Sequence, residues 1–279
     1  PVAEGGLQVQ GLCRFSLPCT GGFKKYHDTL AERRAALYAP GRLDARCLWF
    51  ERILLPGIAM QTDPDFTLHV VLGEDFPEPW RGRMEALFAE VPQIAVHWRA
   101  PDDHRAICRD VLRGGRDAAR PAVAEFRLDD DDAVAIDYVA QLRRNWPRVA
   151  RLAGPNGRVA LDHGKGVVIE GRADGGVGLH GLLTQCWSAG LALYLRTGDD
   201  GIVMDFPHHR IWSRVPFVNL TDRVMFVRGD HGTNDARTPF AAGVPLSLDA
   251  AGIAEVLARR FGIDIAAFRA DWAALTADP

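Results

Sequence analysis

Four consecutive aspartates, Asp129 to Asp132, stand at the end of the apolar run Ala122-Val-Ala-Glu-Phe-Arg-Leu. Along an extended backbone, side chains alternate sides. Asp129 and Asp131 then point one way, and Asp130 and Asp132 the other. Carboxylates crowded at a strand end repel one another unless a cation or protons offset them. A hard divalent cation such as Mg²⁺ or Mn²⁺ takes one or two carboxylates together with the oxygens of a bound phosphate. The stretch therefore reads as strand, Asp-x-Asp, metal, diphosphate. Helix capping is the alternative, because Asp is favoured at an N-cap and in the first turn, and a helical pattern begins at Ala133. Capping accounts for one or two aspartates rather than four.

The elements that must position this motif alternate in type. Gln8 to Leu17 reads as a first strand, ending at Pro18 and a Thr20-Gly21-Gly22 loop. Arg14 and Phe15 at its end are placed to contact a nucleotide in an α/β crevice; a surface ion pair for Arg14 and a core position for Phe15 fit equally well. Leu43 to Met60 reads as an amphipathic helix, Phe66 to Gly73 as a buried strand, Pro79 to Glu90 as a helix and Ile94 to Trp98 as a short strand. Asp102 to Leu112 reads as a helix capped by Asp102 or Asp103. After the acidic strand, Val134, Tyr138 and Leu142 form a helical stripe expected to end at Pro147. Such alternation argues for a parallel sheet with crossover helices on its faces. Ligands of open α/β sheets bind beyond the carboxyl ends of the strands, where Asp129 falls.

The second half has a different pattern. Arg158 to Asp162 and Gly166 to Glu170 look like a hairpin joined by His163-Gly164-Lys165, and Gly171 to Gly181 like a mobile glycine-rich loop. Leu182 to Leu195 suits helix or strand. Phe206 to Trp212 looks like a turn into a short helix, Phe217 to Val227 contains two strand-like pieces, and Arg228 to Asp235 is a polar loop. Two helices, Ser247 to Phe261 and Ile263 to Leu275, close the chain. No Pro/Ser/Gly linker separates the halves, so the expected unit is a single domain over 1–279. Residues 8–150 form its nucleotide-binding half and 151–279 its acceptor half with the C-terminal helices.

Composition narrows the classes. The net charge of −3, from 33 basic and 36 acidic residues, argues against a nucleic-acid binder, which carries a basic excess. No run approaches the roughly 18 apolar residues of a membrane span, and Pro1-Val-Ala-Glu-Gly-Gly has no signal-peptide character. The five cysteines lack the spacing of a zinc site. They fit a reducing compartment, and a cytoplasmic protein is expected.

Three stretches resemble a known family: Gln61-Thr-Asp-Pro-Asp-Phe-Thr-Leu-His-Val, Arg127-Leu-Asp-Asp-Asp-Asp-Ala-Val and Val227-Arg-Gly-Asp-His-Gly-Thr-Asn. The chain is similar over most of residues 8–240 to the bacterial rhamnosyltransferases, glycosyltransferases of GT-A fold. The resemblance implies an α/β, GT-A-like fold, a mostly parallel central sheet flanked by helices, with a Rossmann-like nucleotide-binding half. It implies that Asp129-x-Asp131 meets the donor diphosphate through Mn²⁺ or Mg²⁺. With four aspartates, the register Asp130-x-Asp132 stays open. His231 matches a late histidine near the metal or the diphosphate. The donor implied is a nucleotide diphosphate sugar, dTDP-rhamnose by the family's name, and the acceptor a glycan. A lipid-linked acceptor would bring the protein to a membrane surface.

Glycosyl transfer requires charge stabilisation on the leaving diphosphate and, with inversion, a carboxylate that takes the acceptor proton. Arg127 is placed to pair with phosphate or with an aspartate. Asp205 and Asp230 are the candidate bases, with Glu170 a competitor. A metal-dependent phosphohydrolase or nucleotidyltransferase would also use an acidic cluster at a strand end, and a non-catalytic nucleotide-sugar-binding protein would keep the fold.

Overall fold

A computed structural model describes residues 6–21, 29–234 and 243–277. Gly22, in the first predicted loop, and Asp235, at the end of the stretch expected as a polar loop, lie outside the described residues; Arg228 to His231 of that stretch is strand rather than loop. The chain begins with β1 (Leu7–Arg14), α1 (Leu30–Leu37) and α2 (Pro40–Trp49), which runs through a π-helical turn at Phe50–Leu54 into α3 (Leu55–Ala59). Next come β2 (Thr67–Gly73), α4 (Trp80–Ala89), β3 (Ile94–Arg99), α5 (His104–Gly114) and β4 (Ala122–Asp129), the acidic strand. The remaining elements are β5 (Ala133–Val134), α6 (Tyr138–Val149), β6 (Val159–His163), β7 (Lys165–Gly171), β8 (Val177–Leu183), β9 (Leu191–Arg196), β10 (Phe217–Leu220), β11 (Phe226–His231), β12 (Val244–Pro245), α7 (Ala250–Phe261) and α8 (Ile265–Ala277).

Among the described residues, seven strands form a central sheet in the order β10-β6-β9-β4-β1-β2-β3. All neighbours are parallel except β9, which runs antiparallel to both β6 and β4. This is the mostly parallel, helix-flanked sheet expected from the alternating pattern. β1 and β4 pair in register from Leu7 opposite Ala122 to Arg14 opposite Asp129, so both strands end at the same edge. A second sheet, β12-β8-β7-β11-β5, packs nearby. Leu7 of β1, Phe126 of β4, Phe226 of β11 and Trp272 of α8 belong to one shared hydrophobic cluster.

Local chemistry sets several boundaries. Asp103, one of the two predicted caps, accepts the Ala106 N–H at 2.9 Å and starts α5. Gly262 ends α7 at φ +67, a left-handed conformation that glycine adopts without a Cβ penalty.

Further expectations are corrected. The segments Arg158–Asp162 and Gly166–Glu170 do not form a hairpin: β6 belongs to the central sheet and β7 to the second. Only Gly164 lies between those strands, too little chain to reverse direction, so the backbone crosses from one sheet to the other. The glycine-rich 171–181 stretch is not a loop. It turns at Gly175 (φ +83) and continues as β8, paired with β7; its glycines hid the alternation that marks a strand. The helix after the acidic motif begins at Tyr138 rather than Ala133, because Ala133 and Val134 pair with β11. It passes through Pro147 to Val149. Finally, the aspartates do not continue an extended strand. Asp132 N donates to Asp129 O at 3.0 Å, closing a turn. Leu182–Leu195, compatible with helix or strand, supplies the end of β8 and most of β9.

Candidate functional site

The acidic turn sits at the C-terminal edge of the central sheet, and each aspartate has a different surrounding. Asp129 is the last residue of β4. Its part-exposed carboxylate accepts from Arg14 Nη2 at 2.9 Å. Asp130 Oδ1 accepts from Arg46 Nη1 at 2.6 Å. Asp131 Oδ2 accepts from Asn234 Nδ2 at 2.8 Å, lies 3.4 Å from Arg46 Nη1 and 3.1 Å from His231 Nε2. Asp132 turns inward, its Oδ2 3.4 Å from the Asp129 amide. The close fit at Asp131 depends on Gly229 of β11, where a Cβ would stand 2.7 Å from Asp131 Cβ.

These surroundings divide the charge. Desolvation pushes the Asp129 carboxyl up, but Arg14, Arg127 and Arg228 outweigh it and hold it below the usual range. Burial likewise opposes ionisation of Asp131, and Arg46 and His231 overcome it, so its pKa is lowered. Burial raises Asp130 to about 6 against the pull of Arg46. Asp132 is pushed well up by burial and then by Asp131 and Asp129. The aspartates whose ionised form the surroundings favour are thus Asp129 and Asp131, two residues apart.

His231 is buried and stacks on Trp49 with ring centroids 4.7 Å apart. Its Nδ1 is 3.0 Å from Thr233 Oγ1, while its buried Nε2 has no aligned hydrogen-bond partner. Burial lowers its pKa, favouring the neutral ring. An imidazole nitrogen 3.1 Å from a carboxylate oxygen and poorly aligned to it is a donor pair that suits a cation. Among the described residues, no group of three or more His, Cys, Asp or Glu side chains forms a metal cage. Asp131 and His231 would therefore contribute two protein donors.

A second cluster lies on the face of β4 that carries Glu125, Arg127 and Asp129. Arg14 Nη1 donates to His104 Nε2 at 2.9 Å, and Cys108 Sγ is 3.6 Å from the same nitrogen. Burial, with Arg14 and Arg127, lowers the His104 pKa to about 4, so the ring accepts this bond in its neutral form. The Arg127 Nε is buried without a hydrogen-bond partner, and its guanidinium joins no ion pair among the described residues. Burial lowers the pKa of Arg127; the charges acting on it are Asp129, Arg14, Asp132 and Arg228. Arg228 lies over the Trp187 ring, 5.5 Å from its centroid.

The other sequence-predicted residues are distributed differently. Phe15 does not face a nucleotide: it is fully buried, edge-on to Phe50 at 5.7 Å and Phe76 at 5.6 Å. Alternation along β1 sends Arg14 to the edge cluster and Phe15 into the core. Asp205 accepts from Arg109 Nη2 at 2.6 Å and from the Ile202 amide at 3.1 Å. It therefore caps a short turn. Asp230 sits on β11 between Gly229 and His231, which face Asp131; alternation puts its side chain on the strand face of Arg228. Glu170 is tied to Arg172 and His180.

Sequence reasoning missed Arg46, Asn234 and Arg228. Arg46 had a signal, a charged residue among Leu43, Ala45, Cys47 and Leu48 on the apolar side of a helix. Asn234 and Arg228 lay inside the quoted Val227–Asn234 stretch, with no spacing to mark them.

Solved structures similar to this chain include residues 1–349 of TarS from S. aureus, at 10% identity, TM-score 0.42, 80% of this chain and 60% of that one. The chain thus spans 60% of the length of that TarS fragment. The same fragment in complex with UDP matches at 11% identity, TM-score 0.38, with 80% and 60% covered. A "putative nucleotide-diphospho-sugar transferase" from Desulfovibrio desulfuricans G20 matches at 13% identity, TM-score 0.39, with 98% of this chain and 97% of that one covered. Comparison with curated proteins gives no match. The family model described as "Putative rhamnosyl transferase" matches residues 8–243, most of the described fold and the whole acidic site, and the chain belongs to that family.

Proposed function

We propose that this protein transfers a sugar from a nucleotide diphosphate sugar to a glycan acceptor. One observation carries the reading: Arg14, Arg127 and Arg228 act on the carboxylate of Asp129 at the carboxyl edge of the sheet, and Arg127 Nε has no partner. Guanidinium groups gathered at that edge, one with an unpartnered Nε, suit the two phosphates of such a donor. Family membership supports the same chemistry and favours rhamnose, for which we take dTDP as the carrier nucleotide.

In this reading Arg14 and Arg127 hold phosphate oxygens, and Arg228, flattened on Trp187, closes the far side. Asp131 and His231 fit Mg²⁺ or Mn²⁺ in the Asp129-x-Asp131 register. When bound, that cation would supply Lewis-acid stabilisation to the departing diphosphate. Arg46 keeps the acidic turn folded by bridging Asp130 and Asp131 to the Thr233 carbonyl, 3.1 Å from its Nη2. Asp230, on the Arg228 face, is the base that takes the acceptor proton; attack opposite the leaving diphosphate inverts the anomeric carbon. Asp205, held by Arg109, shapes the acceptor side instead. No helix among the described residues is long and apolar enough to cross a membrane. A cytoplasmic enzyme meeting a lipid-linked glycan at the membrane surface fits this reading.

The test is incubation with dTDP-, UDP- and GDP-sugars in Mn²⁺ or Mg²⁺ with saccharide acceptors. Release of nucleoside diphosphate together with a glycosylated product is expected. Release of monophosphate or phosphate instead would identify a phosphohydrolase or nucleotidyltransferase. Binding without turnover on any acceptor would identify a sugar-nucleotide-binding protein.

A further inference from the structure

His208, in a 3-10 turn at His208–Ser213, plays no part in the site as described so far. Its Nδ1 is 2.6 Å from the Cys186 carbonyl oxygen. A carbonyl only accepts, so Nδ1 carries the proton and Nε2 of the neutral ring keeps a lone pair. No partner for Nε2 is present among the described residues.

The carbonyl that fixes this tautomer is itself tightly held. Cys186 adopts φ +59, a left-handed conformation that is costly for a residue other than glycine. Its amide donates to Asp162 Oδ2 at 2.6 Å, and Asp162 is 1% exposed at the end of β6. Asp162 pairs with Leu191 of β9, one residue beyond the Ala192–Phe126 pair, which places it level with Arg127 across the sheet. Asp162, Cys186 and His208 thus form a chain of short hydrogen bonds from the sheet to the imidazole.

The charges acting on that imidazole are Arg127 and Asp129 of β4 and Arg228 of β11, the same groups that build the anion site. Burial and Arg127 lower its pKa to about 4, keeping it uncharged. A neutral acceptor beside guanidinium groups cannot serve phosphate, which has no proton to give at neutral pH. It suits a hydroxyl. Every element of the chain comes from the half of the molecule after residue 150, away from β1 to β3.

We propose that His208 Nε2 accepts the hydrogen bond of an acceptor hydroxyl next to the attacking one and so orients the attacking oxygen beside the diphosphate. This rests on the glycosyl-transfer reading above. In the step it serves, the acceptor oxygen forms a bond to the anomeric carbon. The anomeric C–O bond to the diphosphate breaks, the pair leaving with the diphosphate, and the proton of the attacking hydroxyl, which is not the one held by His208, passes to Asp230. His208 binds substrate and does not itself take the proton.

The experiment compares wild type with His208→Asn and His208→Phe. Asparagine can still donate to the Cys186 carbonyl but offers nothing in place of Nε2; phenylalanine removes both. Three quantities are read: dTDP and UDP affinity by calorimetry, hydrolysis of sugar nucleotide by water, and transfer to a panel of free monosaccharides. Both variants should keep nucleotide affinity and hydrolysis within about threefold, while transfer relative to hydrolysis falls about tenfold, the worth of one neutral hydrogen bond. An unchanged transfer-to-hydrolysis ratio in His208→Asn overturns the proposal. So does ¹⁵N-histidine NMR showing His208 protonated on Nε2 at pH 7, a readout that needs no turnover. If wild type binds no nucleoside diphosphate at all, the glycosyl-transfer reading fails first, and the proposal with it.

Discussion

Arg127→Met should weaken nucleotide binding and strengthen the fold at the same time. The guanidinium is largely buried, its Nε is unpartnered, and burial depresses its pKa. Leaving a buried polar group unsatisfied costs about 1–3 kcal/mol. Methionine keeps the aliphatic stem and removes the charge, so the ligand-free variant should gain about that much. At roughly 2–4 °C per kcal/mol for chains of this size, the melting temperature rises by several degrees. In the complex the same guanidinium makes a charge-assisted contact with phosphate worth about 1.5–3 kcal/mol. Its loss should raise the Kd for dTDP or UDP about 10- to 150-fold. Calorimetric titration with each nucleotide, beside denaturant unfolding in buffer free of phosphate and sulfate, reads both quantities. Arg127→Met that unfolds more easily by about 1 kcal/mol or more and binds nucleotide as before would show that the residue is structural. The anion-site reasoning would then be wrong.

Asp131→Ala should abolish the part of nucleotide affinity that depends on Mn²⁺ and that a chelator removes; retained metal-dependent binding in calorimetry would take the cation away from this aspartate. His231→Ala should weaken diphosphate binding more than it lowers thermal stability, and the reverse order in paired melting and titration experiments would make His231 a packing residue. Arg116→Met should cost about 3–5 kcal/mol in urea unfolding, because Glu125, fully buried and 2.8 Å from Arg116, would be left as an uncompensated charge. Adding Glu125→Gln should restore part of that loss, and a double variant no better than the single one would refute the pairing. Burial, and then His97, lowers the His69 pKa from 6.5 to about 4. The unfolded chain therefore binds a proton that the folded one refuses: this stability is present above pH 6.5 and is lost as pH falls toward 4, by about 3 kcal/mol. Asp162, raised to about 7 by burial, acts in the opposite sense, losing stability as pH rises through 7. Unfolding measured from pH 7 to pH 4.5 should show a shallower decline in His69→Gln than in wild type, and equal slopes would discount His69.

Much of the frame was legible without coordinates. The alternation of apolar strands and amphipathic helices up to Asp129 specified a mostly parallel sheet, because side-chain period and turn residues are local properties. The place of Asp129 at a strand end followed from the same pattern. Where glycine replaced the expected side chains, as in Gly175, Gly178 and Gly181 of the β7–β8 hairpin, alternation vanished from the sequence and the strand was missed. Leu182–Leu195 stayed ambiguous because a short apolar run fits a buried helix as well as a buried strand.

The division of labour among the aspartates was a matter for tertiary structure alone. Four identical side chains in a row differ only in what comes to meet them. Arg14 arrives from β1 at Asp129, Arg46 from α2 at Asp130, and His231 and Asn234 from β11 and its following turn at Asp131. Those partners are between 84 and 115 residues away. Charge, burial and unpaired nitrogens are properties of neighbours, and neighbours this distant in sequence are set by how the two sheets pack. The chain order determined that carboxylates would gather at the edge of the sheet; the packing decided in which of them the charged form is favoured.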